Sequence, residues 1–399
     1  MTDTSAPPPR IASMDAVRGM AVCGILLMNI VVMGHPGSAY NNPTFYGAEG
    51  RADMAAWLIN FILAEGKMRA LFTMLFGASM VLIADRAEAR ETGSAIEAHL
   101  RRMFWLFMFG MIHAWLIWFG DILVQYAVGG AFAFVLWRFR PRALWILFAG
   151  MIAIELLQFG ATYLQQAGAT PLSARDVAAQ AAQEIASYRG GFADVFAARA
   201  RTTVQFQTDT LVAYMPETIG FMALGILFYR NGFLSAAWSR RAYWRTIAIG
   251  YLIAAPLTLA LAWLLLARDF APGLGSLTEG LSLILRPFIA LAHAAAVILL
   301  VRSGDLRWFT SRLEAAGRMA LSNYLGTSLL TTTFFYGYGF GMFGQLSRAE
   351  LYWVVLAVWV LILAWSKPWL ERYRYGPLEW LWRSLASGER QPMRREVPV

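Results

Sequence analysis

Long apolar stretches recur along the whole chain and are separated by short polar connections. Each is about as long as the 20 or so residues that cross a bilayer as an α-helix. None shows the two-residue alternation of a membrane β-strand, so a barrel is excluded. We predict an all-α integral membrane protein with about ten transmembrane helices, at residues 18–34, 55–84, 103–119, 122–137, 143–163, 211–229, 245–266, 280–301, 317–336 and 351–367.

The second apolar stretch is too long for one plain span, and the polar sequence AEGKMR at 64–69 interrupts it. This pattern predicts either a surface helix followed by a span or a broken helix. A signal peptide is the competing interpretation of the first stretch, because small residues follow its apolar core. The polar residues inside that stretch favour a retained span.

The longest polar segment, 164–210, follows the fifth span and is predicted to lie outside the cell as a helical hairpin. Ser173 is its predicted helix N-cap, and Gly190-Gly191 separates its two helices. After the last span, YGPLEWLWRSL alternates Trp and Leu with charged residues, which predicts an interfacial helix starting at Pro377. The sequence RQPMRREV that follows predicts a disordered basic tail.

These elements predict five regions along the chain. They are a cytoplasmic N-terminal segment (1–17), spans one to five (18–163), the external helical loop (164–210), spans six to ten (211–367), and the cytoplasmic interfacial helix with its basic tail (368–399).

Composition agrees with a membrane protein, since 58% of the residues are hydrophobic and only 15% are charged. The net charge of +9 is scattered over short connections with no dense basic domain, which argues against nucleic-acid binding. With the N-terminus inside, the cytoplasmic segments hold 24 basic residues and the external loops hold 7. This asymmetry predicts that both termini are cytoplasmic.

Metal chemistry has no signature in the sequence. The one cysteine, Cys23, can form neither an intrachain disulfide nor a cysteine metal cluster. The histidines are not spaced as ligands on one helix face, so no metal is expected. Phosphate-cradling loops and serine-nucleophile motifs are also missing from the sequence.

Two titratable residues, His113 and Asp121, lie in the apolar stretch HAWLIWFGDIL. On a continuous helix they would be about 12 Å apart along the axis and could not bond, but Gly120 is expected to end the helix. His113 is either a structural histidine or a general base in an outward-leaning cavity. Asp121 is either at the mouth of that cavity or the cap of the next helix.

Other ionisable residues inside the spans are candidate ligand contacts, because charges in hydrocarbon are usually functional. Asp15 and Arg18, three residues apart, form either a helix-start ion pair or a cytoplasmic phosphate contact. The remaining candidates are Lys67, Arg69, Arg286 and Asn323. Glu65 is a possible partner of Lys67 and Arg69, and Glu155 and Glu217 are possible counter-ions of Arg286 or Arg69. Asn323 and Tyr324 either form interhelical hydrogen bonds or line a site. We expect His293 to pack, and His35 and His99 to lie on the surface.

Five stretches together resemble a known family. They are MDAVRGMAVCGILLMNI, KMRALFTMLFGAS, IHAWLIWFGDILVQYAVGG, GRMALSNYL and YGPLEWLWRSL, spread over about residues 10–388. In this order they are similar to the YeiB-like bacterial inner-membrane proteins, the domain-of-unknown-function family 418. That family is grouped with transmembrane acyltransferases, including acyltransferase-3 proteins and heparan glucosaminide N-acetyltransferase, which transfer an acyl group from cytoplasmic acyl-CoA to an acceptor on the far side.

The resemblance implies roles for individual residues. Asp15, Arg18 and Gly19 match the wider group's element at the first span, with Arg18 facing the phosphates of the donor. His113 and Gly120-Asp121 match the family's own stretch, with His113 as the base. Other members of the group place the catalytic histidine after the first span, where this chain has His35, so the choice between the two histidines stays open.

The leading hypothesis is therefore a bacterial inner-membrane acyltransferase that uses acyl-CoA or acetyl-CoA, an unidentified hydroxyl or amine acceptor, and no metal. Arg286, Arg69 or Lys67 would stabilise the developing oxyanion. The alternatives are a transporter or lipid flippase that uses the same charges, and a membrane scaffold whose polar residues only fix helix packing. Membrane lipids are the expected surroundings, and a homo-oligomer is compatible with the sequence.

Overall fold

The protein is described by a computed structural model that covers residues 11–88 and 95–395. This part of the chain is helical and contains no β-strand, which confirms the all-α prediction. The main helices are α1 (Ala12–Gly34), α2 (Arg51–Leu63), α3 (Lys67–Glu88), α4 (Ala95–Ile112), α5 (Leu123–Ala133), α6 (Pro141–Gln166), α7 (Ala174–Arg189), α8 (Phe192–Gln205), α9 (Met215–Arg230), α10 (Arg240–Ala267), α11 (Leu274–Ser303), α12 (Arg307–Arg318), α13 (Ala320–Phe335), α14 (Leu351–Arg372) and α15 (Pro377–Ser387).

Seven helices in the described ranges are long and apolar enough to cross a membrane. They are α1, the interrupted α2–α3, α4, α6, α10, α11 and α14, so the chain is a multi-pass membrane protein. A bent pair, Phe192–Ala213 and Met215–Arg230, would make an eighth span at the position of the predicted sixth. The predicted fourth and ninth spans are shorter helices, at Leu123–Arg138 and α13.

The second predicted span is an interrupted helix, the second of the two forms that its sequence allowed. Helix α2 ends at Leu63 and α3 begins at Lys67. Gly66 between them has φ of +72°, a left-handed conformation that glycine adopts without the clash of a Cβ atom. The break brings the polar start of α3 into the interior of the helix assembly.

Small residues allow the central helices to pack closely. A Cβ atom on Gly19 of α1 would meet the backbone of Leu313, and one on Gly317 of α12 would meet the backbone of Asp15. The same holds where Gly77 of α3 crosses α9. Such contacts are typical of helices that associate in membranes by backbone approach.

The predicted hairpin of 164–210 is present as α7 and α8. Ser173 accepts the backbone N–H of Asp176 at 3.2 Å, as expected of an N-cap. The hairpin is packed down onto the helix ends: Glu184 accepts the Gly37 N–H at 3.0 Å, and Arg189 Nε donates to the Phe343 carbonyl at 2.6 Å. Burial raises the pKa of the Glu184 carboxyl above its usual range.

The C-terminal helix α15 starts at Pro377 as predicted, but it does more than lie at an interface. Glu379 accepts the backbone N–H groups of Leu321 and Ser322 at 2.7 and 3.0 Å, so it caps α13 from another helix. Burial raises the pKa of the Glu379 carboxyl. Trp382 Nε1 donates to the Arg102 carbonyl at 2.9 Å, which ties α15 to α4.

The prediction of a disordered tail is wrong for its described part. Arg374 N–H donates to the Met393 carbonyl at 2.9 Å, and Trp380 Nε1 donates to the Gln391 carbonyl at 2.7 Å. These bonds hold the described part of the tail against the end of α14 and against α15. The start of the predicted N-terminal segment (1–10) and the end of the predicted tail (396–399) lie outside the described residues, and α1 already begins at Ala12.

Candidate functional site

The stretch HAWLIWFGDIL forms a turn in which helix α4 widens and then ends. Residues His113–Ile117 form one π-helical turn, closed by the Trp118 N–H donating to the His113 carbonyl at 2.8 Å. Trp118 is extended, with φ of −155° and ψ of 130°, so the helix stops two residues before Gly120. Single π-turns inside helices are often found at functional sites. We call residues 113–121 the His113 turn.

The turn brings His113 and Asp121 into direct contact. His113 Nδ1 lies 2.7 Å from Asp121 Oδ1, and both side chains are buried. Asp121 Oδ2 accepts the Val124 N–H at 2.7 Å, so the same carboxylate also caps α5. The separation of about 12 Å on a continuous helix does not apply, because the chain reverses between the two residues. Asp121 therefore caps α5, which is one of its two interpretations, and it also bonds His113.

Glycines make the reversal possible. A Cβ atom on Gly110 would overlap the Val124 backbone nitrogen and Asp121 Oδ2, and a Cβ atom on Gly120 would overlap the Trp118 indole. Without these two glycines the start of α5 could not lie so close to α4. The local sequence therefore fixes the position of the aspartate against the histidine.

One nitrogen of His113 is left without a partner. A carboxylate only accepts hydrogen bonds, so Nδ1 is the nitrogen that donates to Asp121. Nε2 is buried and has no hydrogen-bond partner within the described residues. The Tyr324 ring lies 5.1 Å from the imidazole and the Trp118 ring 6.3 Å away, centroid to centroid. A neutral His113 thus has an unused acceptor at Nε2.

A narrow space opens beside Asp121. It has a volume of about 10 Å³, close to what one water molecule needs, and it lies between the start of α5 and the segment that leads from α8 to α9. Its lining includes Phe119, Asp121, Gln125, Phe206 and Gln207. This cavity therefore borders the histidine–aspartate pair on the side of Asp121.

The α7–α8 hairpin holds the His113 turn from the other side. Arg199 of α8 is fully buried, and its Nε and Nη1 donate to the carbonyls of Trp115 and Ile117 at 2.9 and 3.2 Å. Thr203 Oγ1 donates to the Ala114 carbonyl at 3.0 Å. The wide turn exposes these carbonyls, and side chains of α8 bind them.

The predicted intramembrane charges form a separate group between α3, α9 and α11. Glu217 accepts from Arg69 Nη2 at 2.9 Å through one oxygen and from Arg286 Nη1 at 3.0 Å through the other. Arg286 also bonds Glu279, which the sequence reasoning missed. Glu155 accepts the Glu217 backbone N–H at 3.2 Å instead of an arginine. We call these residues the glutamate–arginine network.

Lys67 and Glu65 are not paired with each other. Lys67 Nζ is buried and donates to the Phe61 carbonyl at 2.7 Å, which lies just before the break between α2 and α3. Glu65 accepts the Tyr40 hydroxyl at 2.7 Å. The sequence gave no signal for Tyr40, because it follows the first span in an irregular segment.

Arg18 and Asn323 are both bonded by the protein. Arg18 is half-buried and donates to Asp15 at 2.9 Å and to Ser79 Oγ at 3.0 Å. Asn323 donates to the Ala316 carbonyl and accepts from Trp365 Nε1, both at 3.0 Å. Asn323 therefore joins α12, α13 and α14, as interhelical hydrogen bonding requires.

Two histidines expected on the surface are buried, so that expectation is wrong. His35 Nε2 lies 2.7 Å from the Leu346 carbonyl, and burial lowers its pKa from 6.5 to about 4. His99 lies on α4, with Nε2 3.0 Å from the Gly130 carbonyl and its ring stacked on Phe134. Both were misjudged because polar neighbours in sequence do not report which elements pack over them. His293 bonds Tyr251 and the Leu63 carbonyl, in agreement with packing.

Arg199 is the main residue that sequence reasoning missed near the His113 turn. It lies in a segment of balanced charge, where an arginine is usually solvated. No group of three or more possible metal ligands occurs among the described residues.

Comparison with known proteins identifies relatives along nearly the whole chain. Residues 228–389 match the family described as "Protein of unknown function (DUF418)". The chain is 32% identical to YeiB of Escherichia coli (strain K12) over 385 residues, which is 94% of this chain and 96% of that protein. It is 30% identical to YxaH of Bacillus subtilis (strain 168) over 403 residues, covering 98% of this chain and 97% of that protein.

Proposed function

We propose that this chain, which belongs to the DUF418 family together with YeiB and YxaH, is a membrane-embedded acyltransferase that uses His113 as its general base. The observation that carries the proposal is the His113–Asp121 pair, in which one imidazole nitrogen is held by a carboxylate and the other is free. This is the arrangement that a histidine base requires.

The reaction follows from these two residues. His113 Nε2 takes the proton of an acceptor hydroxyl or amine as the acceptor oxygen or nitrogen attacks the thioester carbonyl of the donor. The C–S bond then breaks, and the proton passes from His113 to the leaving thiolate of coenzyme A. Asp121 holds the tautomer with the proton on Nδ1 and stabilises the imidazolium that forms between the two steps.

The surroundings of the two candidate histidines favour His113 over His35. His113 bonds a carboxylate, which holds the ring with one nitrogen directed away from that bond. His35 bonds a backbone carbonyl and has the charge of Arg348 nearby, and its pKa lies at about 4. A base with so low a pKa is almost always neutral but takes up a proton weakly, so His35 fits the role poorly.

We propose that the donor is cytoplasmic acyl-CoA and that Arg18, at the inner end of α1, contacts its phosphates. The half-buried guanidinium has the planar donor geometry that suits phosphate oxygens, and it would exchange its bond to Asp15 for the ligand. Arg69 and Arg286 are less suited to bind a donor or an oxyanion, since Glu217 and Glu279 already pair with them.

The proposed topology has ten spans with both termini in the cytoplasm of a bacterium, because basic residues divide 24 to 7 between the two sides. The α7–α8 hairpin then lies outside, over the His113 turn. A cysteine placed at Ser187 in a Cys23→Ser background should react with an impermeant reagent in intact spheroplasts. Lack of labelling would contradict this orientation.

A transporter or flippase is the second candidate, and the glutamate–arginine network favours it. Buried charges between spans commonly mark substrate or proton paths in transporters. A purified, lipid-reconstituted protein separates the two. Transfer of radiolabelled acetyl or longer acyl groups from acyl-CoA to cell-envelope extracts supports the acyltransferase, whereas substrate movement across vesicles without acyl-CoA supports the transporter. Failure to bind any acyl-CoA would overturn the proposed enzyme.

A further inference from the structure

Arg199 is a buried cation without a carboxylate partner. Its side chain is fully buried, and it forms no ion pair with any described residue. Nε and Nη1 bond the Trp115 and Ile117 carbonyls, but Nη2 has no hydrogen-bond partner within the described residues. Among the described residues, the hydrogen bonds and the ring contact of this buried guanidinium are therefore with uncharged groups: the two carbonyls and the Phe196 ring, whose centroid is 5.6 Å away.

Such an arrangement is costly for a group that serves packing alone. Burying a charge without a counter-ion is strongly unfavourable, and buried charges are normally paired. Arg286, equally buried, shows the usual solution because it bonds Glu217 and Glu279. The difference indicates that the counter-charge of Arg199 comes from a ligand.

Other unused donors belong to the buried cluster that contains Ala198, the residue before Arg199. The Trp118 indole N–H, in the residue that follows Ile117, and the Tyr336 hydroxyl are buried and have no hydrogen-bond partner within the described residues. Trp118 and Tyr336 belong to one buried cluster with Tyr188, and the charge of Arg199 reaches the Tyr336 phenol. Glu184, an acid whose charge also acts on the Tyr336 phenol, is bonded to the Gly37 N–H.

We propose that Arg199, assisted by the Trp118 N–H, binds an anionic group, a phosphate or a carboxylate, next to the His113 turn. If the protein is the proposed acyltransferase, this group belongs to the acceptor, which would enter from the side of the hairpin and be held near His113 Nε2. That identification of the ligand rests on the proposed function. Anion binding itself does not, and it can be measured without acyl transfer.

The test uses the full-length protein in nanodiscs of neutral lipid, with inorganic phosphate and acetate as probes at constant ionic strength. Phosphate or acetate should raise the unfolding temperature of the wild-type protein relative to chloride, because a ligand that binds only the folded state stabilises it. Arg199→Gln should raise the phosphate concentration needed for half-saturation about tenfold or more, because a charge-assisted hydrogen bond is lost. Arg199→Lys should retain part of the response.

Two control variants locate the effect. Arg175→Gln changes an exposed arginine of the same hairpin and should respond to phosphate as the wild type does. His113→Ala should keep the phosphate response even though acyl transfer is lost. If the phosphate response depends on Arg199 but the wild-type protein transfers no acyl group, the proposed function is rejected and the anion site is retained.

The headgroup of an anionic lipid is the other source of such a phosphate. Nanodiscs that contain phosphatidylglycerol should leave the response to free phosphate unchanged if the site takes a soluble acceptor, and should abolish it if a lipid headgroup occupies the site. Either result supports an anion site at Arg199. An identical response in wild type and Arg199→Gln, or no response of the wild type to either probe, overturns it.

If Arg199→Gln does not fold, Arg199→Lys gives the answer, because lysine keeps the positive charge but lacks the planar set of guanidinium donors. Its half-saturation should need more phosphate than that of the wild type. An equal phosphate requirement in the two proteins would overturn the proposal.

Discussion

The glutamate–arginine network and the His113 turn are both buried and polar, but they use their hydrogen-bonding groups differently. In the network, both oxygens of Glu217 and a terminal nitrogen of each arginine are bonded between α3, α9 and α11, and each arginine has an ionic partner although Arg286 Nε forms no hydrogen bond within the described residues. In the His113 turn, His113 Nε2, Trp118 Nε1 and Arg199 Nη2 have no partner within the described residues. Groups that are already paired hold helices together, whereas unpaired buried groups can receive a ligand.

This contrast assigns different consequences to mutation in the two regions. Changes in the network should mainly reduce stability, because they leave a buried charge without a partner. Changes in the His113 turn should mainly reduce activity, because the groups that matter there are not used by the fold. Five predictions test this division, from the largest expected effect to the smallest.

His113→Ala should lower acyl transfer by about 10²–10⁴-fold, the usual contribution of a general base, while acyl-CoA binding stays near the wild-type value. The measurement is single-turnover transfer in nanodiscs, together with the unfolding temperature. A variant that simply unfolds in detergent would show that His113 is structural.

Glu217→Gln should destabilise the protein by about 3–5 kcal/mol, because Arg69 loses its charged partner in a buried setting and Arg286 keeps only its pair with Glu279. Thermal unfolding in one detergent measures the loss. Glu314→Gln is the matched control, since its partner Arg307 is largely exposed and such pairs contribute about 0–1 kcal/mol. Equal effects of the two changes would contradict the contrast.

Arg18→Ala should weaken acyl-CoA binding by about 1.5–3 kcal/mol, the scale of a charge-assisted hydrogen bond. Titration calorimetry on the purified protein measures it, with Arg302→Ala as a control at another helix end. Unchanged affinity in a folded variant would leave Arg18 as the helix-start partner of Asp15.

Asp121→Asn should reduce acyl transfer less than His113→Ala, because the amide can still hold the ring but no longer stabilises the imidazolium. The loss should be greatest in kcat, with little change in the KM for acyl-CoA. Asp121 also caps α5, so the unfolding temperature should fall slightly. An effect larger than that of His113→Ala would reverse the proposed roles.

His35 should affect pH-dependent stability rather than activity. Its pKa of about 4 in the folded state is below its ordinary value of 6.5, so the unfolded chain binds the proton more readily between these values. The wild-type protein should therefore lose stability as the pH falls from 6.5 towards 4, and His35→Gln should lose less. Loss of acyl transfer in His35→Gln would move the base to the outer end of α1.

Much of the architecture was predictable from the sequence because it depends on local or additive properties. Apolar length predicted the positions of the membrane helices, and the polar sequence AEGKMR predicted the interruption at 64–69. Gly190-Gly191 predicted the break in the hairpin, and Pro377 predicted the start of the last helix. Ser173 was recognised as a cap because capping involves residues three apart. The family resemblance was also carried by local stretches, and the comparisons with YeiB and YxaH confirmed it.

The sequence by itself determined that the chain is helical, crosses a membrane and carries charges in its spans. It also placed His113 and Asp121 in one short stretch. Only the tertiary structure decided which groups meet: that Trp118 ends α4 and turns Asp121 onto His113, that Glu217 joins two arginines from other helices, and that Arg199 reaches the turn from the α7–α8 hairpin. Partners far apart in sequence depend on how helices pack, and helical periodicity leaves that packing undetermined.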